Sequence, residues 1–183
     1  YYLQSGGGIT LSGGECTLQP EFSLGLLRAA KDLGISTAIE SMAYAKYEVI
    51  ETLLPYLDTY LMDIKHMNPE KHKEYTGHDN LRMLENALRV AHSGQTELII
   101  RVPVIPGFNA TEQELLDIAK FADTLPGVRQ IHILPYHNFG QGKYEGLNRD
   151  YPMGDTEKLS NEQMKAFKEM IQKNTSLHCQ IGG

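Results

Sequence analysis

Short runs of β-branched and other apolar residues alternate along the chain with longer segments in which apolar residues recur at helical spacing. This alternation is typical of βα units, in which helices pack on a parallel sheet. The predicted strands cover residues 9–12, 36–40, 59–64, 97–105, 130–136 and 177–181. The predicted helices cover residues 22–33, 47–54, 81–92, 112–125 and 161–173, and the last two begin at the N-caps Thr111 and Ser160.

Length and composition narrow the class of protein. At 183 residues, the chain is expected to form one domain over residues 1–183. Hydrophobic residues make up 41% and charged residues 22%, as in an ordinary globular protein. The apolar runs are too short to cross a bilayer and no leader-like segment opens the sequence, so we expect neither a membrane partner nor export. A net charge of −6 without a basic cluster argues against nucleic acid as a partner.

The cysteines and one group of histidines are expected to be structural. Cys16 and Cys179 lie near opposite ends of the sequence, which favours unpaired buried thiols in a reducing cytoplasm over a disulfide. His66, His72 and His78 are equally spaced within a charged segment, but a spacing of six does not place them on one helical face. We therefore expect solvated surface histidines there and no metal site.

Ionisable side chains occur where the predicted strands end. In parallel α/β proteins, ligands bind beyond the carboxyl ends of the strands, so these residues are candidates for a site. They are Glu15, Glu40, Asp63, Lys65 and His137. Arg101 lies within an apolar strand, where a charge is costly unless it meets a protein carboxylate or an anionic ligand. After His137, residues up to 159 show no period and predict a long loop.

Two of these features have several interpretations. Asp63 and Lys65 lie two positions apart, so they share one face of a strand and fit a zwitterionic ligand, a buried ion pair, or a lysine that forms a Schiff base with a carbonyl substrate. The glycine-rich segments 5–8 and 12–15 permit tight turns and close approach to a ligand. They lack the spacing of known phosphate-binding loops, so two turns flanking a strand explain them equally well.

The order of several motifs resembles a known family. Ser5-Gly-Gly-Gly-Ile-Thr-Leu-Ser-Gly-Gly-Glu15 is similar to the Gly-Gly-Glu segment of radical S-adenosylmethionine proteins, in particular the family of pyruvate formate-lyase activating enzyme. Further blocks that match are Tyr60-Leu-Met-Asp-Ile-Lys65, residues 68–77, Ile100-Arg-Val-Pro-Val-Ile-Pro-Gly107 and Ile133-Leu-Pro-Tyr-His137. The resemblance covers nearly the whole chain.

The resemblance implies a partial (β/α) TIM-like barrel of α/β class, with a mostly parallel sheet, outer helices and the family's first strand missing. It implies S-adenosylmethionine as the cofactor, bound at the carboxyl ends of the strands. The implied cofactor-binding residues are Gly13, Gly14, Glu15, Glu40, Ser41, Asp63, Lys65, Arg101 and His137. Gly13, Gly14 and Glu15 match the residues that receive the methionyl ammonium, and Lys65 matches the lysine near the methionyl carboxylate. These residue types suit those charges.

The implied activity is the reductive cleavage of S-adenosylmethionine and the generation of a glycyl radical on a partner such as pyruvate formate-lyase, with flavodoxin or ferredoxin as the electron donor. Family members hold a [4Fe–4S] cluster with a Cys-x3-Cys-x2-Cys run that this sequence lacks. We therefore assign the cluster to the full-length parent, predict no metal ligands in this chain, and expect the isolated chain to be inactive. A lysine-dependent aldolase-like barrel and a non-catalytic binding scaffold are the alternatives.

Overall fold

The sheet is built from six parallel strands. The computed structural model describes residues 6–137 and 158–182. The strands are β1 (Gly8–Leu11), β2 (Ser36–Ser41), β3 (Thr59–Asp63), β4 (Glu97–Val104), β5 (Gln130–Pro135) and β6 (His178–Ile181). Each pairs in parallel with the next one along the chain, from β1 to β6. Because β1 and β6 do not pair with each other, the fold is an open, partial (β/α) barrel.

Helices connect the strands. They are α1 (Pro20–Asp32), α2 (Tyr47–Leu53), α3 (Pro69–Thr76), α4 (Leu81–Ser93), α5 (Glu112–Thr124) and α6 (Asn161–Asn174). The predicted caps are confirmed, because Thr111 accepts a hydrogen bond from the main chain at the start of α5, and Ser160 forms a capping box at the start of α6. In the described part of the chain, no helix combines the length and the hydrophobicity that crossing a bilayer demands.

The two faces of the sheet have different chemistry. Alternate strand residues point to opposite faces, and those that face the helices form the core. Fully buried core residues include Ile39, Tyr60, Met62, Ile100, Ile131 and Ile133. The opposite face carries Glu40, Asp63 and Arg101 on β2, β3 and β4, among uncharged residues such as Leu61 and Ile99. One face is thus mainly apolar, and the other brings three charged side chains together near the carboxyl ends of the strands.

The predicted strands and helices are confirmed. Each strand ends within one residue of its predicted bound, and each predicted helix within two. Helix α3 was not predicted, although Asn68 caps its first turn, Pro69 occupies the first helical position and Gly77 ends it in a left-handed conformation. The expected loop over 137–159 lies, between residues 138 and 157, outside the described residues.

The prediction that the three spaced histidines are solvated was wrong for two of them. His66 is 3% exposed and His72 is 1% exposed, whereas His78 is exposed as predicted. His72 is the one buried residue of α3, and its Nδ1 lies 2.6 Å from the carbonyl oxygen of His78. A polar helix with one inward position shows no apolar periodicity, which explains the error.

Candidate functional site

The carboxyl ends of β1 to β4 surround a small cavity. Its volume is about 140 Å³. It is lined by Ser12, Gly13, Gly14, Glu15, Glu40, Ser41, Met42, Asp63, Lys65 and Arg101. Eight of the nine residues predicted to bind the cofactor are in this set. The exception is His137, an exposed residue just after β5.

The Glu15 carboxylate lines one part of the cavity and accepts several hydrogen bonds from other groups of the protein. Its Oε1 accepts hydrogen bonds from the Thr17 hydroxyl at 2.8 Å, the Thr17 main-chain N–H at 3.2 Å and the Ser41 hydroxyl at 2.6 Å. Its Oε2 accepts from the Met42 main-chain N–H at 3.1 Å. The carboxylate therefore ties the turn after β1 to the end of β2, and Oε2 has the fewer protein partners.

Arg101 links the acidic residues at the floor of the cavity. Its Nη1 lies 2.7 Å from Glu40 Oε1, and its Nε and Nη2 both lie 2.9 Å from Asp63 Oδ1. Glu40 also accepts a hydrogen bond of 2.6 Å from the Ser12 hydroxyl. Burial acts to raise the pKa of Glu40, but the hydrogen bonds from Ser12 and Arg101 outweigh it and lower the pKa. The prediction that Arg101 meets an anion is confirmed.

Lys65 follows β3 and enters the cavity two strands away from the turn after β1 that carries Glu15. Its Nζ lies 3.6 Å from Asp63 Oδ2, and both side chains are 20% exposed. Asp63 and Lys65 thus share a face as predicted, but the ion pair is longer than a direct hydrogen bond. By formal charge, Lys65 and Arg101 balance Asp63 and Glu40, and Glu15 adds one further negative charge among the described residues that line the cavity. A ligand that carries both a cation and a carboxylate would find a partner for each charge there.

The glycines leave room beside Glu15. Gly13 has a φ of +111°, a conformation that residues with a side chain rarely adopt. A Cβ added to Gly13 or Gly14 would meet nothing within 4 Å. The main chain at the end of β1 therefore has open space beside it, and position 13 favours glycine because of its backbone conformation.

A second, larger cavity of about 440 Å³ lies along the open edge of β1. Exposed side chains of the following segment line it, including Leu18 and Phe22, and its one charged residue is Glu15. Size alone would favour this cavity as the site. We place the site in the smaller one, because charges of both signs converge there and the larger one offers no cation.

The two cysteines do not come together to form a site for an iron–sulfur cluster. Cys16 follows β1 and Cys179 lies in β6, so they belong to opposite edges of the sheet. Burial and the nearby Glu15 carboxylate raise the pKa of Cys16 to about 11, and burial raises that of Cys179 to about 11. Within residues 6–137 and 158–182, no three side chains of the types that ligate metals converge. The chain's own thiols therefore do not fit a [4Fe–4S] cluster, which takes three or four thiolates.

Three residues near the site were not among the predicted site residues. Ser12 and Met42 line the cavity and bind the carboxylates of Glu40 and Glu15. Ser12 could have been found, because it directly precedes the glycine pair, whereas Met42 contributes a main-chain group that no sequence pattern marks. His132 is the register partner of Arg101 on β5, and its two buried ring nitrogens have no hydrogen-bond partner among the described residues.

Comparison with known proteins gives consistent matches. Residues 3–122 match the sequence model of the Radical SAM superfamily. The isethionate sulfite-lyase activating enzyme of Nitratidesulfovibrio vulgaris is 42% identical over 173 residues, which cover 93% of this chain and 55% of that protein. The pyruvate formate-lyase-activating enzyme of Clostridium pasteurianum is 34% identical over 171 residues, which cover 93% of this chain and 71% of that protein.

A solved structure agrees in fold. A domain of pyruvate-formate lyase-activating enzyme from Bacteroides vulgatus superposes with a TM-score of 0.80 at 28% identity, covering 97% of this chain and 99% of that one. The chain spans about half the length of several of the curated relatives that it matches. The relatives include activating enzymes named for different lyases and dehydratases, so the similarity does not single out pyruvate formate-lyase.

Proposed function

This chain belongs to the radical SAM superfamily, and we propose that it forms the S-adenosylmethionine-binding part of an enzyme that activates a glycyl radical enzyme. When bound, S-adenosylmethionine would supply the radical that removes a hydrogen atom from a glycine of the partner. The observation that carries the proposal is the convergence of carboxylates, a lysine and an open glycine turn in one cavity. The partner is a glycyl radical enzyme, of which pyruvate formate-lyase is one candidate.

The charges of the cavity suit the amino-acid end of S-adenosylmethionine. We assign its ammonium to the Glu15 corner, where Oε2 and the exposed main chain of Gly13 and Gly14 offer oxygen acceptors. We assign its carboxylate to Lys65, which holds one carboxylate at 3.6 Å and has room for a second. A volume of about 140 Å³ takes this end of the molecule and leaves the remainder outside.

The remaining predicted residues have supporting roles in this proposal. Glu40, Asp63 and Arg101 form a hydrogen-bonded group that fixes charges of both signs beside the ligand. Ser41 holds the Glu15 carboxylate in place. His137, outside the cavity, is assigned to the part of the cofactor or the polypeptide substrate that extends beyond it.

In the complete enzyme, thiolates from outside this chain would hold the cluster, and a flavodoxin or ferredoxin would supply the electron. The chain contributes two cysteines on opposite edges of the sheet, so it is expected to bind S-adenosylmethionine weakly and to be inactive alone. We expect a dissociation constant no lower than the high micromolar range, which corresponds to a binding free energy of about −5 kcal/mol.

Replacement of Lys65 tests the proposal. Lys65→Ala removes a charge-assisted hydrogen bond to the ligand carboxylate, and we expect S-adenosylmethionine to bind about 1.5–3 kcal/mol more weakly. NMR titration of the chain, which reaches millimolar dissociation constants, measures this, and Lys73→Ala, a change at an exposed lysine of α3, is the matched control. In the complete enzyme, Lys65→Ala should abolish cofactor cleavage while the cluster still assembles.

Two outcomes would contradict the proposal. Unchanged affinity in Lys65→Ala would show that the lysine does not bind the cofactor. An adduct trapped on Lys65 by borohydride in the presence of a carbonyl compound would favour the lysine-dependent aldolase instead.

A further inference from the structure

The main chain that carries Lys65 lies beyond the regular sheet. The Ile64 N–H donates to the Arg101 carbonyl oxygen at 2.9 Å, which continues the pairing of β3 with β4 by one residue. The next three carbonyl groups, those of Lys65, His66 and Met67, are all bound by side-chain amides instead. Buried peptide groups need partners, so these side chains determine the path of the chain here.

Asn109 binds the peptide group of Lys65 itself. Its Nδ2 donates to the carbonyl oxygens of Lys65 at 2.7 Å and Pro103 at 2.8 Å, and its Oδ1 accepts from the Ile105 N–H at 2.7 Å. The residue is 0% exposed. All the hydrogen-bonding capacity of a buried amide, save one lone pair, is thus used to fix the end of β3 against the end of β4.

Two further side chains hold the residues that follow. Asn80 Nδ2 donates to the carbonyl oxygens of His66 at 2.6 Å and Met67 at 2.9 Å. Glu114 Oε1 accepts from the Met67 N–H at 2.5 Å and lies 3.0 Å from His66 Nδ1. The segment is therefore braced from the loop after β4, from the start of α4 and from α5.

The side chain of Lys65 is much less constrained than its main chain. Among the described residues, its ammonium group has one ion-pair partner, Asp63 at 3.6 Å, and it lies at the end of a flexible four-carbon stem. The position of its α-carbon therefore limits which points in the cavity the ammonium group can reach. Asn109 is the residue that fixes this position most directly, because it binds the carbonyl group of Lys65.

We propose that Asn109 is a positioning residue for the cofactor site, which holds Lys65 where its ammonium group meets the ligand carboxylate. The proposal rests on the proposed function, since it takes Lys65 as the carboxylate partner. Asn109 itself does not contact the ligand, because its amide is buried and both of its N–H donors bind the main chain. Its effect on affinity passes through Lys65.

A double-mutant cycle tests this dependence. S-adenosylmethionine is titrated into the chain and into Asn109→Ala, Lys65→Ala and the double variant, and affinity is followed by NMR and stability by thermal unfolding. We expect Asn109→Ala to weaken binding about tenfold, because a misplaced lysine loses a charge-assisted hydrogen bond. In the Lys65→Ala background, the same change should alter affinity by less than about twofold. The unfolding temperature should fall on loss of Asn109 in both backgrounds.

Asn86 provides the matched control. It is also a buried asparagine, and its Nδ2 donates to the carbonyl oxygens of Ala43 at 2.7 Å and Ala45 at 2.9 Å. It braces the loop after β2, so Asn86→Ala should lower stability in a similar way, and any effect on affinity should be the same with and without Lys65. If Asn109→Ala fails to fold, Asn109→Ser, which keeps a donor in the buried position, takes its place in the cycle.

The outcomes separate this proposal from the proposed function. Equal loss of affinity from Asn109→Ala in both backgrounds, or no loss in either, would overturn the positioning role. If Lys65→Ala itself binds S-adenosylmethionine as tightly as the unaltered chain, the assignment of Lys65 fails, and with it the premise of the positioning role.

Discussion

The two ends of the cavity contrast in how their charged groups are held. At one end, the Glu15 carboxylate receives four hydrogen bonds from Thr17, Ser41 and Met42. At the other, the Lys65 ammonium group has a single carboxylate at 3.6 Å, although its main chain is braced by buried side chains. The Glu15 side chain is therefore held by several groups of the protein, whereas Lys65 is held through its backbone and its side chain is less constrained.

Glu15 and Lys65, which are assigned to the same ligand, thus differ in how much each contributes to the stability of the fold. A carboxylate that satisfies several donors of its own protein leaves them unpaired when it is removed, and unpaired buried donors are costly. A partly exposed lysine in a long ion pair contributes little to folding. Loss of ligand binding after mutation would therefore combine a folding effect with a lost contact at Glu15, but would report mainly the lost contact at Lys65.

The largest expected effect is that of Glu15→Ala on stability. The change removes the acceptor for the main chain of Thr17 and Met42, and we expect it to cost about 2–3 kcal/mol of unfolding free energy. Chemical denaturation of the chain measures the loss. Lys65→Ala is the comparison, with an expected change below about 1 kcal/mol. Equal destabilisation by the two substitutions would remove the contrast between the ends.

A smaller effect is expected at the glycines beside Glu15. Gly13→Ala places a side chain at a φ of +111°, and we expect about 1–2 kcal/mol of destabilisation from backbone strain. Gly14→Ala is the matched change, because an added Cβ there also meets nothing within 4 Å and the backbone is not in that strained region. Its stability should change by less than about 0.5 kcal/mol.

The affinity for S-adenosylmethionine gives a second comparison of the Gly13→Ala and Gly14→Ala variants. If the ligand ammonium approaches the main chain here, both alanine variants should weaken S-adenosylmethionine binding, although only one loses stability. A Gly14→Ala variant with unaltered affinity would argue that the ligand does not approach the glycine pair.

The smallest expected effect is a loss of stability at low pH caused by His72, a buried residue near Lys65. Burial lowers the pKa of His72, and nearby Lys65 adds to this, against the raising effect of the hydrogen bond to His78. Because the unfolded chain binds the proton more readily, stability is full above the unfolded pKa of about 6.5 and falls as the pH drops below it. Thermal unfolding between pH 7.5 and 5 should show this loss. His72→Gln should make it shallower, while the same change at exposed His92 should not.

Much of the fold was predictable because its signals are local. The apolar runs placed every strand, since a strand buried on one face by helices must be apolar there, and the capping residues Thr111 and Ser160 marked helix starts. The charged residues at the strand ends were also found, because parallel topology brings those ends to one rim. The positions of their side chains do not follow from the sequence, so the hydrogen bonds that Glu15 accepts from Thr17, Ser41 and Met42 were not predicted.

The residues missed are those whose role depends on distant partners. Asn80, Asn86 and Asn109 each bind carbonyl groups of a loop that comes earlier in the chain, between 13 and 44 residues away. Asparagine side chains are mostly exposed in globular proteins, so the sequence gives no sign that these three are buried. The same holds for His66, whose burial depends on its contact with Glu114.

The sequential order of the strands has a consequence for synthesis on the ribosome. Because each strand pairs with its predecessor, the sheet can grow in the order in which residues emerge. The described residues that line the charged cavity lie between Ser12 and Arg101, and the side chains that brace Lys65 are complete at Glu114. A nascent chain that has released α5 therefore already carries these residues, while β5, α6 and β6 are still to be made or released.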